Sequence, residues 1–338
     1  MNDRSVGLFD NYEIEVGRTW KGRGAILCES DKGLLILKEY NGPVNKIFFQ
    51  DTLLGHIREA GFPLAESILR TKEDQLIVYD QDRIPYIVKS YFEGKECNNR
   101  DIEECAQAVR VLARLHNCAD LSEWENLASQ PVFHIEKEYE KHNKELKKVR
   151  RFLREKSQKT AFEIYLIEHY DYFFDRALQV TEEMRYYMKE RKNENLEKFP
   201  IVCHGDYQYH NIIRTSGGMA LINFEKCIRD NPVRDLYLFM RKLLEKNSWS
   251  QTLGDILIRS YDEERILSEE DYMQLYYRFA YPEKFWKIVN FYYNSGKAWI
   301  PGRNMEKLEK LFAQDKEKQD FLEAIFQKNR NVSGGSRI

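Results

Sequence analysis

The chain lacks an excess of either sign of charge: 53 lysines and arginines face 55 aspartates and glutamates, a formal charge of -2 over 338 residues. Without a basic excess, a dedicated nucleic-acid binder is disfavoured, because such proteins need clustered cations to displace the counterions of the phosphate backbone. Long apolar runs are missing as well. Nowhere do 18 apolar residues follow one another, and Met1-Asn-Asp-Arg-Ser5 leads into a mixed polar stretch with no secretory h-region. The expectation is a soluble chain made in the cytoplasm, without a membrane span. The six cysteines, at positions 28, 97, 105, 118, 203 and 227, form no Cys-x-x-Cys pair. Neither a zinc site nor a disulfide framework is indicated, and the thiols read as reduced and buried. What is present is length, enough for two lobes that share a cleft.

The stretch with the most chemistry is Val202-Cys-His-Gly-Asp-Tyr-Gln-Tyr-His-Asn211. A short apolar run, Ile201 to Cys203, stops at a cluster of polar groups. Ile212 and Ile213 resume the apolar pattern, Thr215-Ser-Gly-Gly218 supplies turn residues, and Met219 to Ile222 reads as a return strand. Two strands therefore bracket a polar loop. Within it, a carboxylate at Asp206 and an amide at Asn211 can converge on one phosphate-metal complex if the loop folds back. The plainer reading is a capped strand exit in which Asn211 satisfies loop backbone.

His204-Gly-Asp206-x4-Asn211 has the form of a kinase-type catalytic loop. On it, and on supporting elements in matching order over nearly the whole chain, the sequence resembles the aminoglycoside phosphotransferase and choline kinase group. Within that group it resembles the spore coat protein S (CotS) family. The resemblance implies a two-lobed, protein-kinase-like (aminoglycoside phosphotransferase-like) α+β fold that uses ATP and Mg2+. It assigns Asp206 as the group that accepts or aligns the substrate hydroxyl, His204 as a shaper of the catalytic loop, and Asn211 as a metal ligand.

From Glu13 to Val88, short apolar or β-branched runs (Ala25 to Leu27, Leu34 to Lys38, Gln75 to Tyr79, Ile84 to Val88) read as an antiparallel sheet. Gly22-x-Gly24 and Asp31-Lys-Gly33 mark its hairpins; the first is at most a remnant of a glycine-rich phosphate loop and reads better as a plain turn. Lys38 ends the run Leu34-Leu-Ile-Leu-Lys38, where a kinase places the lysine that holds the nucleotide phosphates; a strand-end lysine in solvent is the alternative. Between Asn45 and Ala60, Ile47, Phe48, Leu53, Leu54 and Ile57 recur at helical spacing. This matches the kinase helix that orients the lysine, and Asp51 is the acid in its middle, with Glu59 near its end. Ile84 to Gly94 matches the hinge of the resembled family, so the backbone of Ser90, Tyr91 and Phe92 is expected to meet adenine.

Asp101 to Asn117 is strongly periodic and contains Leu112-Ala-Arg-Leu-His116; His116 reads as a packed, hydrogen-bonded histidine rather than a ligand. Residues 133–195 carry two helical patterns, one through Leu146, Val149 and Leu153, the other from Phe162 to Met184, and imply an antiparallel helical insertion. Lys144, Lys147, Lys148, Arg150, Arg151 and Arg154 form a basic run there, read as a solvated helix face, with attraction of an anionic substrate or acidic partner as the alternative. Asp235, after Pro232, stands where the resembled kinases brace the catalytic loop, and is equally a helix N-terminal acid. Further helical patterns from Leu253 to Gln327, with Trp286, Phe291, Tyr292, Tyr293, Trp299 and Phe312, complete a helical lobe. The division implied is a β-rich nucleotide lobe at 1–92, a mainly helical lobe at 93–330 with the catalytic loop, and a disordered tail at 331–338.

The largest departure from the resembled pattern lies in Leu221-Ile-Asn-Phe-Glu-Lys226. Where that family has Ile-Asp-Phe with a magnesium-binding Asp, this chain has Asn223, whose amide oxygen can ligate a hard cation but brings no charge. Glu225, two residues on along an extended strand, could supply the missing carboxylate. Two functions follow. One is ATP-dependent transfer of phosphate to a hydroxyl of an unidentified small-molecule or protein acceptor. The other is a catalytically weak or inactive pseudokinase that serves as a structural spore coat component among other coat proteins.

Overall fold

Alternation decides the first sheet. In the strand Gly33–Glu39 (β3), Leu35 and Leu37 point to one face and are buried, while Leu34, Ile36 and Lys38 point to the other. Val16–Gly22 (β1), Ala25–Ser30 (β2), Val78–Tyr79 (β4) and Pro85–Ser90 (β5) complete an antiparallel sheet in the order β1-β2-β3-β5-β4. This is a computed structural model; it describes residues 3–22, 24–122, 132–190, 200–294 and 302–334. Leu35 and Leu37 meet Ile26, Cys28, Tyr86 and Val88 in a core closed by Leu8 and Phe9 of a 3-10 helical segment, Asp3–Asn11. Gly24 lies in the hairpin that joins β1 to β2, with Gly22 opposite Ala25.

On the opposite face of the same sheet, Ile36 lies across from Lys89 and Lys38 across from Ile87. Directly opposed residues share a face, so both lysines project to the same side. The helix Val44–Glu59 (α1) buries Ile47, Gln50, Leu53, Leu54 and Ile57. After β5 come a short strand, Lys95–Glu96 (β6), and the helix Ile102–Cys118 (α2), capped by the Asp101 side chain on the Glu104 amide. His116 is fully buried in α2 with Nδ1 2.7 Å from the Tyr261 hydroxyl, as expected of a packed histidine.

Val202–Cys203 (β7) leads into the polar loop, and Ile212–Thr215 (β8) and Gly218–Leu221 (β9) form the hairpin that β6 extends. Two compact units result. The first comprises Met1–Glu123, Ile201–Ile228 and Ser260–Arg265, so the hairpin and α2 cluster with the N-terminal sheet.

The second unit comprises Trp124–Pro200, Arg229–Arg259 and Ile266–Ile338. Its helices Ile135–Glu155 (α3) and Ala161–Glu190 (α4) form the expected antiparallel pair, with Leu146, Leu153, Leu166 and Phe173 buried. Arg150 and Arg154 of the basic run pair with Asp171 of α4 at 2.7 and 3.2 Å, while Lys144, Lys147, Lys148 and Arg151 are exposed. Val233–Lys246 (α5), Gln251–Asp262 (α6, which ends in the first unit), Glu269–Ala280 (α7), Glu283–Asn294 (α8), Gly302–Ala313 (α9) and Asp315–Gly334 (α10) follow. Asp235 is buried in the first turn of α5. The expected tail from 331 begins inside α10, and residues 335–338, Trp299 and the end of the insertion at 191–195 lie outside the described residues. Among the described residues no helix is long and apolar enough to cross a membrane. All six cysteines are free and five are buried.

Candidate active site

The polar loop between β7 and β8 is folded back on itself by side chains. His204, fully buried, donates from Nε2 to the Ile222 carbonyl at 2.9 Å, and its Nδ1 accepts the Asp206 amide at 3.2 Å. The ring is thus a neutral brace between loop and hairpin, because a carbonyl can only accept and the amide can only donate. Tyr207 hydroxyl donates to the Ala108 carbonyl of α2 at 2.7 Å, and Asn211 Nδ2 donates to the Asp206 carbonyl at 2.8 Å. Gly205 has φ +80°, and a Cβ there would stand 1.9 Å from the Lys226 carbonyl oxygen. Only glycine fits.

Held in this way, the Asp206 carboxylate accepts from Gln208 Nε2 at 2.7 Å and from Lys226 Nζ at 2.9 Å. Asn211 Oδ1 faces the Asn223 amide nitrogen at 2.9 Å. β9 ends at Leu221, Asn223 takes a left-handed conformation with φ 68°, and Phe224–Lys226 forms a 3-10 turn. Asn is among the few residues that tolerate this conformation. Glu225 therefore reaches the site by a turn and not along an extended strand. Its Oε1 lies 2.8 Å from Lys38 Nζ and 2.8 Å from Lys89 Nζ. Asn223 Oδ1 faces the same two ammoniums at 3.3 and 3.5 Å. Ammoniums only donate, so the oxygen must be the atom that faces them.

Behind this layer lies Glu66. The segment at Leu64 to Glu66 runs beside β9, exchanging backbone hydrogen bonds with Leu221, which delivers the Glu66 side chain under the turn. Its carboxylate accepts from the Asn223 and Phe224 amides at 2.8 and 3.0 Å, from Lys89 at 2.7 Å and from Gln50 Nε2 at 3.4 Å. Burial pushes the Glu225 carboxyl up, but the Lys89 and Lys38 charges outweigh it and hold it down at about 2. Burial likewise opposes the Lys89 charge, and Glu66 and Glu225 overcome it, so its pKa lies above the ordinary lysine value.

The family model described as "Spore coat putative kinase YutH" matches residues 6–325 of this chain. The chain belongs to that family. Spore coat protein S of Bacillus subtilis (strain 168) is 23% identical over 322 residues, covering 90% of this chain and 87% of that protein. Among solved structures, an aminoglycoside phosphotransferase from Alicyclobacillus acidocaldarius superposes with TM-score 0.80 at 19% identity, covering 95% of each chain. The amicoumacin kinase hAmiN, in complex with AMP-PNP and Ca2+, does so with TM-score 0.59 at 11% identity, covering 94% of each. The fold is thus the α+β, kinase-like fold of the aminoglycoside phosphotransferases, and the resemblance to the spore coat protein S family holds.

In this family member Lys38, Asn211, Asn223 and Glu225 come together, with Asp206 tied to them through Asn211. Asp51 does not join them: Arg70 binds its carboxylate at 2.6 Å. The reason is helix phase, since Asp51 is one residue, about 100°, round α1 from the inward-facing Gln50. In the segment expected to meet adenine, the Ser90 and Tyr91 amides are bonded to the carbonyls of Ser67 and Leu34 at 2.8 Å each. Tyr91 and Phe92 pack against Ile213, Ala220 and Ile222. Sequence reasoning missed Glu66, Gln50, Lys89 and Lys226. A signal existed for Lys89, a charge within the apolar run Tyr86-Ile-Val-Lys89, and for Glu66, an acid among Leu64, Ala65 and Ile68.

A divalent cation does not fit the donor set as it stands. The carboxylates of Glu66 and Glu225 are both on ammoniums, the Asp206 carboxylate is on Lys226, and the two amide oxygens face N–H donors. Hard cations require oxygens that are not already so engaged.

Proposed function

We propose that this protein is a kinase-fold component of the spore coat that binds a nucleotide through Lys38 and transfers phosphate weakly or not at all. The observation that carries this reading is Asn223: it stands where a charged ligand is needed, and its oxygen faces Lys38 and Lys89 at 3.3 and 3.5 Å. Phosphoryl transfer depends on electrostatic stabilisation of the developing charge, so a site without a charged metal ligand is a poor catalyst. The nucleotide part is supported by Lys38 on the sheet face and by the AMP-PNP bound in the neighbouring kinase. The coat location is supported by the family and by the similarity to spore coat protein S.

A second reading, ATP-dependent transfer to a hydroxyl of a small molecule or a coat protein, is favoured by the intact loop that carries Asp206 and Asn211. Two measurements separate the readings. ATP at ten times its Kd adds about 1.4 kcal/mol of native-state stability, visible as a rise in unfolding midpoint. No rise at millimolar ATP would remove the nucleotide from the proposal. Transfer of labelled γ-phosphate to sporulating-cell extract, at a rate above that of Asp206→Ala, would establish the second reading over the first. A fluorescent fusion that stays in the mother-cell cytoplasm throughout sporulation would exclude the coat.

A further inference from the structure

Three oxygens converge on the Lys89 ammonium: Glu66 Oε2 at 2.7 Å, Glu225 Oε1 at 2.8 Å and Asn223 Oδ1 at 3.5 Å. The side chain is 1% exposed. An ammonium has three N–H donors, and three acceptors take them all. Two carboxylates and an amide oxygen are also the hard-oxygen set that a divalent cation would select. Here the positive charge arrives on the end of a side chain from β5.

We infer that the Lys89 ammonium is the resident cation of this site, so that the phosphate ligand it takes is taken without a divalent metal. The inference rests on reading the Lys38 face as a nucleotide site. Charge and geometry both support it. Lys38 and Lys89 balance Glu66 and Glu225, so a divalent ion would enter a neutral cluster beside two ammoniums. To reach the carboxylates it would have to expel a buried ammonium from its partners, which is strongly unfavourable. Lys38 is placed differently. It is 28% exposed, and among the described residues Glu225 and Asn223 occupy two of its three donors, leaving one for a phosphate oxygen.

The test uses the full chain and two probes. Mn2+ is titrated and followed by electron paramagnetic resonance, and a fluorescent ADP analogue is titrated in magnesium and in EDTA. The expected result is no Mn2+ binding tighter than millimolar, and the same analogue Kd, within about twofold, in both buffers. Lys89→Met, which removes the buried ammonium from both carboxylates and leaves Glu225 paired with the part-exposed Lys38, is expected to bind Mn2+ at least about tenfold more tightly than the wild type. Micromolar Mn2+ binding by the wild type, or about a tenfold loss of analogue affinity in EDTA, overturns the inference. If the analogue binds in neither buffer, the nucleotide reading falls, and the Mn2+ titration still decides the cation. Should Lys89→Met fail to fold by circular dichroism, the wild-type titrations decide alone.

Discussion

Lys89 and Lys38 end on the same oxygen of Glu225, yet their surroundings differ: the first side chain is 1% exposed, the second 28%. Removing one partner of a buried ion pair leaves an uncompensated charge, whereas an exposed lysine is largely replaced by water and salt. Lys89→Ala is therefore expected to cost about 3–5 kcal/mol in urea unfolding. Lys38→Ala is expected to cost no more than about 1 kcal/mol. Equal costs would mean that the cluster is not organised around Lys89. At this scale the sequence picked out the residues of the polar loop and half of the cluster. Lys38, Asn211, Asn223 and Glu225 are near one another because they sit at strand ends and turns that local patterns mark. Glu66 and Lys89 were each marked by a charge in apolar surroundings, but their pairing was illegible for a physical reason: they face each other across 23 positions of chain, and pairing at that distance leaves no local pattern.

Among the elements, the loop between β7 and β8 depends on one backbone conformation. Gly205→Ala would place a methyl 1.9 Å from the Lys226 carbonyl and force an L side chain into φ +80°. The expected cost is at least about 2 kcal/mol, with loss of the Asp206–Lys226 contact; a variant within about 0.5 kcal/mol of wild type would show that the loop has another way to close. The start of α7 is a separate case. Ser268 and Asp271 form a reciprocal cap, with Ser268 Oγ accepting the Asp271 amide at 3.1 Å and Asp271 accepting the Ser268 amide at 3.0 Å. Ser268→Ala should lower stability by about 1 kcal/mol, read from the urea midpoint. Strong periodicity made α2 legible to within a residue at each end, and it marked α3 and α4 by recurring positions, 146–153 and 162–184, that fall inside Ile135–Glu155 and Ala161–Glu190. β1 was not read as a strand, because Val16–Gly22 is an edge strand with no fully buried position and so no alternation to read. The expected strand from Gln75 contracts to Val78–Tyr79, since Gln75 and Asp74 close a turn on Thr71. Helix phase was lost in α1, where apolar positions fix the buried stripe only approximately: Asp51 looked like an inward acid, whereas the inward position is the amide Gln50.

Across the whole molecule, acid should act on each unit in a different pH window. In the second unit His142 is buried, with its ring stacked on Trp286 at 3.4 Å between centroids. Burial disfavours its imidazolium and lowers its pKa to about 4, against a weaker pull from Glu283 and with Lys141 and Lys287 adding to the lowering. Glu138, 3.8 Å away, is too weak a partner to reverse this. Below the ordinary histidine value of about 6.5 the unfolded chain takes a proton that the folded chain refuses, so stability falls as pH drops from about 6.5 to about 4. A shift of that size corresponds to on the order of 3 kcal/mol. Glu225 in the first unit behaves as a depressed carboxylate: its contribution is complete above about 4.3 and disappears as pH falls towards 2. His142→Phe keeps the stack, removes the buried Nδ1 that has no hydrogen-bond partner among the described residues, and takes away the titration. Its gain in unfolding midpoint should therefore be larger at pH 4.5 than at pH 8. Glu225→Gln should show the opposite trend, a deficit at pH 7 that shrinks below about pH 4, where the unfolded wild-type chain takes up a proton that folded Glu225 accepts only near pH 2. If His142→Phe declined between pH 6.5 and 4 as steeply as wild type, the acid sensitivity of that window would have to come from a group other than this histidine.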